Sequence, residues 1–228
     1  MSERAWPTTA GELSRVQEEL ARADGEPWEP PAALLVGAAF VCFERGRTGV
    51  GAAGDRAWAG AAITRGSELV ARVTLEGEAG EAFRPGWLAL REGPLLEAVL
   101  RLLEVRADVV LVDGTGRDHP RRAGLAVHLG HVLGVPTIGV TRRALVARAS
   151  SPPQAAGAAS PLVLGAEVVG HVLRPVEGAR PIVVHAGWRT TPETALATVR
   201  QCLFGTRTPE PLRRAREAAR QARSFALT

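Results

Sequence analysis

The stretch VVLVDGTGRDHPRR, residues 109–122, carries side chains that are well suited to chemistry on a phosphate ester. Asp113 follows a short apolar run, which places it at the carboxyl end of a predicted strand, where open α/β sheets bind ligands. Hard cations such as Mg²⁺ bind through one or two carboxylates together with waters and substrate phosphates. Asp113 is therefore a candidate metal ligand. The alternative is that its carboxylate bonds the amides of the Gly-Thr-Gly turn that follows.

A basic motif follows this turn, and it contains His119, Arg121 and Arg122. Guanidinium groups bind phosphate through paired hydrogen bonds, and an imidazole can orient a water or protonate a leaving oxygen. The alternative is a solvated basic turn. The position of the motif directly after Asp113 favours a role at the same site.

Two upstream features extend this candidate site. Glu92 precedes a helix predicted to begin near Pro94, so it is either a second metal carboxylate or simply an acid at a favourable helix terminus. The segment FRPGW, residues 83–87, places two aromatic rings around Pro and Gly in a loop. Such a wedge can enter a base stack and help to extrude a nucleotide, and the alternative is a hydrophobic lid on the core.

The elements that must position these residues follow from the apolar pattern. Residues 33–43 are almost continuously apolar, which is typical of a strand covered on both faces. The strands predicted next complete a meander, after which strands and helices alternate as in a parallel sheet. The predicted strands after the first are 57–63, 68–75, 109–112, 137–140, 168–173 and 182–185, and the predicted helices are 9–23, 94–103, 124–133, 191–204 and a basic helix from 212.

Length and composition indicate a globular chain with a basic surface. The 228 residues are 46% hydrophobic with a formal net charge of +4, and all 28 basic residues are arginine. We expect one domain over 1–228, with an N-terminal helical extension over 1–30 and a flexible Pro- and Ala-rich loop over 149–161. The charge favours anionic partners.

The sequence contains no pattern typical of secretion or membrane insertion. The amino terminus lacks the apolar region of a signal peptide, and the longest apolar run is shorter than the roughly 20 residues that span a bilayer. Cys42 and Cys202 are too few for a disulfide framework or a zinc site. We expect a cytoplasmic protein with no membrane partner, and the oligomeric state is left open.

Together these motifs resemble the endonuclease V family, nucleases that cut nucleic acid near deaminated adenine, that is, inosine. The resemblance covers about residues 34–218 and is carried by RPGWLALREGP, DVVLVDGTGRDHPRRAGLAVHLG, VPTIGVTRRAL and AGWRTTPETALATVRQC with RTPEPLRRA. It implies an α/β, ribonuclease H-like fold, a mixed sheet flanked by helices. It also implies Mg²⁺, or Mn²⁺ in its place, and inosine-containing DNA or RNA as the partner.

The resemblance assigns roles to individual residues. It makes Glu92 and Asp113 the metal ligands, with His119 assisting the reaction. The residues that it places against nucleic acid are Phe83, Pro85, Gly86, Leu88, Gly114, Arg121, Arg122 and Arg142.

The chain also departs from the family pattern. The family's first-strand Asp should fall near Ala39 or Phe40, but no carboxylate occurs between residues 33 and 43. Trp188 stands where a GHR motif has His, Thr115 replaces the His of VDGHG, and Arg142 replaces a usual Lys. The residues that could substitute for the lost groups are Glu44, Asp118 and His185.

Two functions follow from this comparison. The first is an endonuclease V-like, metal-dependent phosphodiester hydrolase acting on inosine-containing nucleic acid in DNA repair or RNA processing, weakened by the loss of its central carboxylate. Metal assistance contributes several kcal/mol, and each 1.4 kcal/mol is about tenfold in rate. The alternative is a catalytically inactive pseudo-nuclease that binds nucleic acid through the retained cleft.

Overall fold

The computed structural model describes residues 6–23, 25–46 and 49–226. The strands are β1 (Val36–Phe43), β2 (Arg56–Arg65), β3 (Glu68–Glu78), β4 (Val109–Val112), β5 (Thr137–Thr141), β6 (Ala159–Leu164), β7 (Glu167–Leu173) and β8 (Ile182–Ala186). The helices in this part of the chain are α1 (Ala10–Arg22), α2 (Leu88–Arg101), α3 (Leu125–Leu133), α4 (Pro192–Gln201) and α5 (Glu210–Ala226).

The strands form one mixed sheet in the order β3-β2-β1-β4-β5-β8-β7-β6. The first three strands pair as the predicted antiparallel meander, and β1, β4 and β5 are parallel to one another. The carboxyl ends of these three strands therefore meet at one edge, which we call the C-terminal edge. Because β8 is antiparallel to β5, the beginning of β8 lies at the same edge. The predicted α/β class and mixed sheet are confirmed.

Helices cover both faces of the sheet. Alternate residues of β1 point to opposite faces, so Ala39 and Val41 belong to the core that contains α2 and α3, while Ala38 belongs to the core that contains α4 and α5. This double burial explains why the strand is almost entirely apolar. No helix in the described ranges is both long enough and apolar enough to cross a bilayer.

The helix α5 lies unusually close to the sheet at Gly60 of β2. A side chain there would meet the carbonyl oxygen of Ala215 and come within 2.6 Å of the backbone nitrogen of Ala219. Only glycine allows this contact. The approach fixes the height of α5 above the sheet and sets the position of the arginines on its inner face.

The start of α2 corrects a prediction. The helix begins at Leu88 rather than near Pro94, so Glu92 lies within the helix and not before it. The prediction placed the proline in the first turn, where its missing amide costs nothing. In the structure, the carbonyl of Arg91 accepts a hydrogen bond from the amide of Gly80 at 3.0 Å, so tertiary contacts support the turn around the proline.

The loop predicted over 149–161 is shorter than expected. Its last three residues belong to β6, which pairs with β7. The side chain of Arg174 donates hydrogen bonds to the carbonyls of Pro153 at 2.6 Å and of Pro152 at 3.0 Å. These bonds tie the loop to the start of the segment that follows β7.

Candidate nucleic-acid and metal site

Asp113 lies at the C-terminal edge and forms an ion pair with a residue of α5. The Nη2 of Arg216 donates to the Oδ2 of Asp113 at 2.8 Å, and its Nη1 lies 3.3 Å from the hydroxyl of Thr208. The ion pair joins residues 103 positions apart in the chain. The carboxylate of Asp113 is therefore already bound to a cation of the protein.

Phe40 forms a second contact with the same guanidinium. Ala39 of β1 pairs with Val112 of β4, so Phe40 stands beside Asp113 in the next row of the sheet. The guanidinium carbon of Arg216 is 5.1 Å from the centre of the Phe40 ring, and that of Arg220 is 5.8 Å away. Both distances are within the range of a cation–π contact. An aromatic ring and a guanidinium therefore occupy the surroundings of Asp113 on this side.

Glu92 is the second carboxylate near this point. Burial raises its pKa to about 8, with a further rise from the negative charge of Asp113 and an opposing effect of Arg91. The two predicted metal ligands therefore approach closely enough to influence one another. At neutral pH the carboxyl group of Glu92 is mainly protonated.

We expect Glu92→Gln to stabilise the protein at alkaline pH. The unfolded chain loses the Glu92 proton near its ordinary pKa of 4.5, while the folded chain keeps it until about pH 8. The stabilisation from this group is thus complete below pH 4.5 and is lost as the pH rises to 8, whereas Gln loses no proton. In urea unfolding, the free energy of unfolding of the variant should exceed that of the unchanged chain by about 2 to 4 kcal/mol at pH 8 and by far less at pH 5. An equal difference at both pH values would contradict this expectation.

The residues at this edge do not fit a Mg²⁺ or Mn²⁺ site. In the described part of the chain, no three His, Cys, Asp or Glu side chains come together as possible ligands of one ion. Mg²⁺ binds through one or two carboxylates together with waters and substrate phosphates, and here the Asp113 carboxylate is already paired with the Arg216 guanidinium. This arrangement disagrees with the metal site that the resemblance implies.

The three residues suggested as substitutes lie elsewhere or are already bonded. Asp118 is fully buried and accepts hydrogen bonds from the amides of residues 145, 146 and 147 at 2.7, 2.9 and 2.8 Å. His185 is also fully buried, with Nε2 2.8 Å from the hydroxyl of Thr141 and Nδ1 3.6 Å from Asp118. Glu44 lies near Arg56. Asp118 and His185 therefore support the loop after β5.

His119 does not have the free imidazole that its predicted catalytic role requires. It is 1% exposed, and its Nε2 donates to the carbonyl of Gly86 at 2.9 Å while Nδ1 accepts from the amide of Arg121 at 3.1 Å. Burial is the main cause that lowers its pKa. The amide nitrogen of Gln17 also donates to Gly86, at 3.2 Å. His119 therefore holds the 83–88 loop in place, and its assisting role in the reaction stays a prediction.

Arg121 and Arg122 do not form the predicted paired phosphate clamp. Arg121 donates to Gln17 of α1 at 3.3 Å, and its guanidinium carbon lies 5.0 Å from the Trp87 ring centre. Arg122 instead pairs with Glu167 at the start of β7. The side chains of Arg121 and Arg122 point in different directions, because the backbone of Arg122 is in the left-handed region with a φ of 58°.

The predicted base-pocket loop is exposed at its tip. Phe83 is 43% exposed, Pro85 is exposed, and Gly86 and Leu88 are half-buried. The ring of Phe83 is thus available to contact a ligand and does not cover the core. Gly114, by contrast, is buried, and a side chain there would lie 3.1 Å from Leu125. Packing against Leu125 therefore favours glycine at this position, and its place in the pocket stays a prediction.

Arg142 is exposed directly after β5 and lines two cavities beside the Asp113 pair. Its predicted place near the ligand is consistent with this position.

The residues that sequence reasoning missed are Arg216 and Phe40. The sequence predicted a basic helix from residue 212, but nothing in it indicated which arginine meets Asp113.

Comparison with known proteins gives the family. The Endonuclease V family model matches residues 43–217. The chain belongs to the endonuclease V family. It is 43% identical over 157 residues to the endonuclease V of Methanopyrus kandleri, which covers 69% of this chain and 68% of that protein.

Solved endonuclease V structures have the same fold. The crystal structure of the Streptomyces avermitilis endonuclease V superposes with a TM-score of 0.86 at 35% identity, covering 98% of this chain and 97% of that one. The structure of the Ciona intestinalis endonuclease V, in complex with a 24mer DNA containing an inosine followed by a ribo-adenosine, superposes with a TM-score of 0.78 at 23% identity. The match covers 95% of this chain and 98% of that one. The ribonuclease H-like fold expected for an endonuclease V is thereby confirmed.

Trp188, which stands where the family resemblance places a His, has a packing role in this endonuclease V family member. Its ring meets His131 edge-on, with ring centres 4.9 Å apart, and packs near Val16 and Leu20 of α1. Its amide donates to the hydroxyl of Thr137 at 3.0 Å. The indole of Trp188 therefore packs against α1 and helps to hold it in place.

Proposed function

We propose that this endonuclease V family member binds inosine-containing nucleic acid at the C-terminal edge of its sheet without the metal-dependent cleavage implied by the family. The observation that carries the proposal is the ion pair of Arg216 with Asp113 beside the Phe40 ring, because it fills the place of a metal with a side chain. We place this activity in the cytoplasm, where the two free, buried cysteines stay reduced.

A guanidinium can replace the charge of a metal ion but not its chemistry. It attracts phosphate and stabilises the carboxylate, yet it carries no open coordination position at which a water becomes a hydroxide. A positive charge therefore remains at the cleft to hold a phosphate. The contribution of the ion to hydrolysis, several kcal/mol, is lost.

The recognition elements support binding. The tip of the 83–88 loop exposes Phe83, while the carbonyl of Gly86 is held by both His119 and Gln17. A loop fixed in this way is ready to receive a base at little entropic cost. The related Ciona intestinalis endonuclease V is seen in complex with an inosine-containing 24mer DNA, which supports the same ligand class for this chain.

A second candidate is metal-dependent hydrolysis with Glu92 and Asp113 as the ligands. It is favoured by the proximity of these two carboxylates, since the charge of Asp113 contributes to the raised pKa of Glu92. For this function, Arg216 would have to leave Asp113 when the ion binds.

One experiment separates the two functions. The full chain is incubated with DNA and RNA oligonucleotides that contain inosine, or adenosine in its place, in the presence of Mg²⁺, Mn²⁺ or a chelator. We expect binding about tenfold tighter to inosine, equal with and without chelator, and no cleavage. Cleavage that needs metal and is abolished by Asp113→Ala would establish the second candidate. Equal binding to both bases would contradict inosine recognition.

Phe83→Ala tests the loop directly. Stacking of a base on an aromatic ring contributes about 1 to 3 kcal/mol, so we expect the variant to bind the inosine oligonucleotide about tenfold more weakly. Phe204→Ala is the matched control, because both phenylalanines are 43% exposed and Phe204 lies outside the cleft. The measurement is fluorescence anisotropy of a labelled oligonucleotide. A similar loss of affinity in both variants would argue against a specific contact of Phe83.

A further inference from the structure

An arginine groove extends from the Asp113 pair along the C-terminal edge. A cavity of about 550 Å³ is lined by Arg142, Arg216 and other residues of α5, and a second of about 530 Å³ is lined by Arg142, Arg143, Arg180, Arg207, Ser150 and Ser151. A small cavity of about 40 Å³ between them is lined by Arg142, Arg207 and Arg216. All three cavities share Arg142, and Arg216, which lines two of them, is the residue paired with Asp113, so we treat them as one arginine groove.

The positive charge of this groove is largely without counterions from the protein. Within the described ranges, the side chains of Arg142, Arg143 and Arg180 form no hydrogen bond or ion pair. Arg207 donates only to neutral groups, the carbonyls of Arg180 at 2.8 Å and Pro181 at 3.0 Å. The second cavity has no acidic lining residue.

The arginines of the groove also repel one another. Burial lowers the pKa of Arg207, and the charges of Arg142, Arg180 and Arg216 lower it further. The acid of the first cavity, Glu217, lies 3.9 Å from Arg213 and 3.8 Å from Arg214, so it does not offset these charges. Like charges held together without anions favour a ligand that carries several negative charges.

We propose that the groove binds consecutive phosphates of one nucleic-acid strand, on one side of the inosine held at the C-terminal edge. The inference rests on the proposed function for the position of the inosine. The two large cavities are each much bigger than a single phosphate, and the small one joins their arginines, which suits a chain of phosphates better than a free anion. Arginine binds phosphate oxygens in pairs, and the hydroxyls of Ser150 and Ser151 add donors at the far end.

The test combines a length series with a groove variant. The full chain is titrated with single-stranded DNA in which a central inosine is extended by about four or eight nucleotides on its 5′ side only or its 3′ side only. The variant is Arg143→Ala/Arg180→Ala. Its control is Arg65→Ala/Arg106→Ala, an equal charge change in two exposed arginines at the opposite edge, since Arg65 ends β2 and Arg106 precedes β4.

We expect extension on one side only to increase affinity. The groove variant should lose that increase, bind the long strand roughly tenfold more weakly, and reduce the slope of log K against log salt by about 1.4. The control pair should bind like the unchanged chain. Equal increases on both sides, as for any polyanion, or equal losses in the two variants, would overturn the proposal.

Failure of the proposed function would look different. If strands with adenosine in place of inosine bind equally well, inosine recognition is wrong, but the groove variant should still lose more affinity than the control. If inosine is preferred and the two variants bind alike, the groove proposal alone fails.

Discussion

The double variant Phe40→Asp/Arg216→Ala is expected to bind Mn²⁺ roughly tenfold or more tightly than the unchanged chain. The first change places a carboxylate beside Asp113, in the row that follows the Ala39–Val112 pair. The second removes the guanidinium that lies 2.8 Å from Asp113. Glu92, on whose pKa the charge of Asp113 acts, is the expected third carboxylate. Such a set supplies the hard oxygen ligands that the present site lacks.

Electron paramagnetic resonance of free Mn²⁺ measures this affinity without any nuclease assay. A second readout is the unfolding free energy, which should rise by about 2.7 kcal/mol at a Mn²⁺ concentration 100 times Kd. The matched control is Phe40→Asn/Arg216→Ala, which removes the same ring and guanidinium but adds no charge. If the double variant does not fold, Arg216→Ala alone should still bind Mn²⁺ more tightly than the unchanged chain. Tight Mn²⁺ binding by the unchanged chain would refute the guanidinium assignment.

Asp118→Ala is expected to destabilise the protein by about 3 to 5 kcal/mol. Asp118 is fully buried, and its two oxygens accept three backbone amides from residues 145–147. Its removal leaves these amides without acceptors and His185 without its neighbouring carboxylate. The loop that follows Arg142 would lose its attachment, so binding of long oligonucleotides should weaken as well.

Asp108→Ala provides the comparison for this change. Asp108 accepts one backbone amide, that of Leu35 at 2.8 Å, at the opposite edge of the sheet. We expect Asp108→Ala to lower the free energy of unfolding by about 1 kcal/mol and to leave oligonucleotide binding unchanged. Chemical unfolding of both variants gives the two free energies. Similar costs would mean that the Asp118 contacts contribute far less than their geometry indicates.

The sequence was sufficient to predict most of the fold, because the apolar pattern depends on local burial. The continuous apolar run of β1 and the start of α4 near residue 191 are both found as predicted. The start of α2 was missed because Pro94 lies inside the helix, in a turn where the carbonyl of Arg91 accepts a hydrogen bond from Gly80, a residue from a separate segment. Local propensity does not contain such tertiary support.

The candidate site was harder to predict, because its residues already bond to one another. Motif position predicted that Glu92 and Asp113 lie close together, and the charge of Asp113 does contribute to the raised pKa of Glu92. Motif position also suggested a free His119 and a pair of phosphate-binding arginines. Those side chains instead bond to Gly86, Gln17 and Glu167, partners that only the folded chain brings close.

The close packing of α5 on Gly60 determines where the positive charge at the cleft comes from. Because the backbone of α5 contacts β2 there, the fold itself holds the guanidinium of Arg216 at the cleft. The positive charge at this point therefore comes from the protein and not from a bound ion. Its presence does not depend on the concentration of Mg²⁺. The binding that we propose would therefore persist at Mg²⁺ concentrations too low for a metal-dependent reaction.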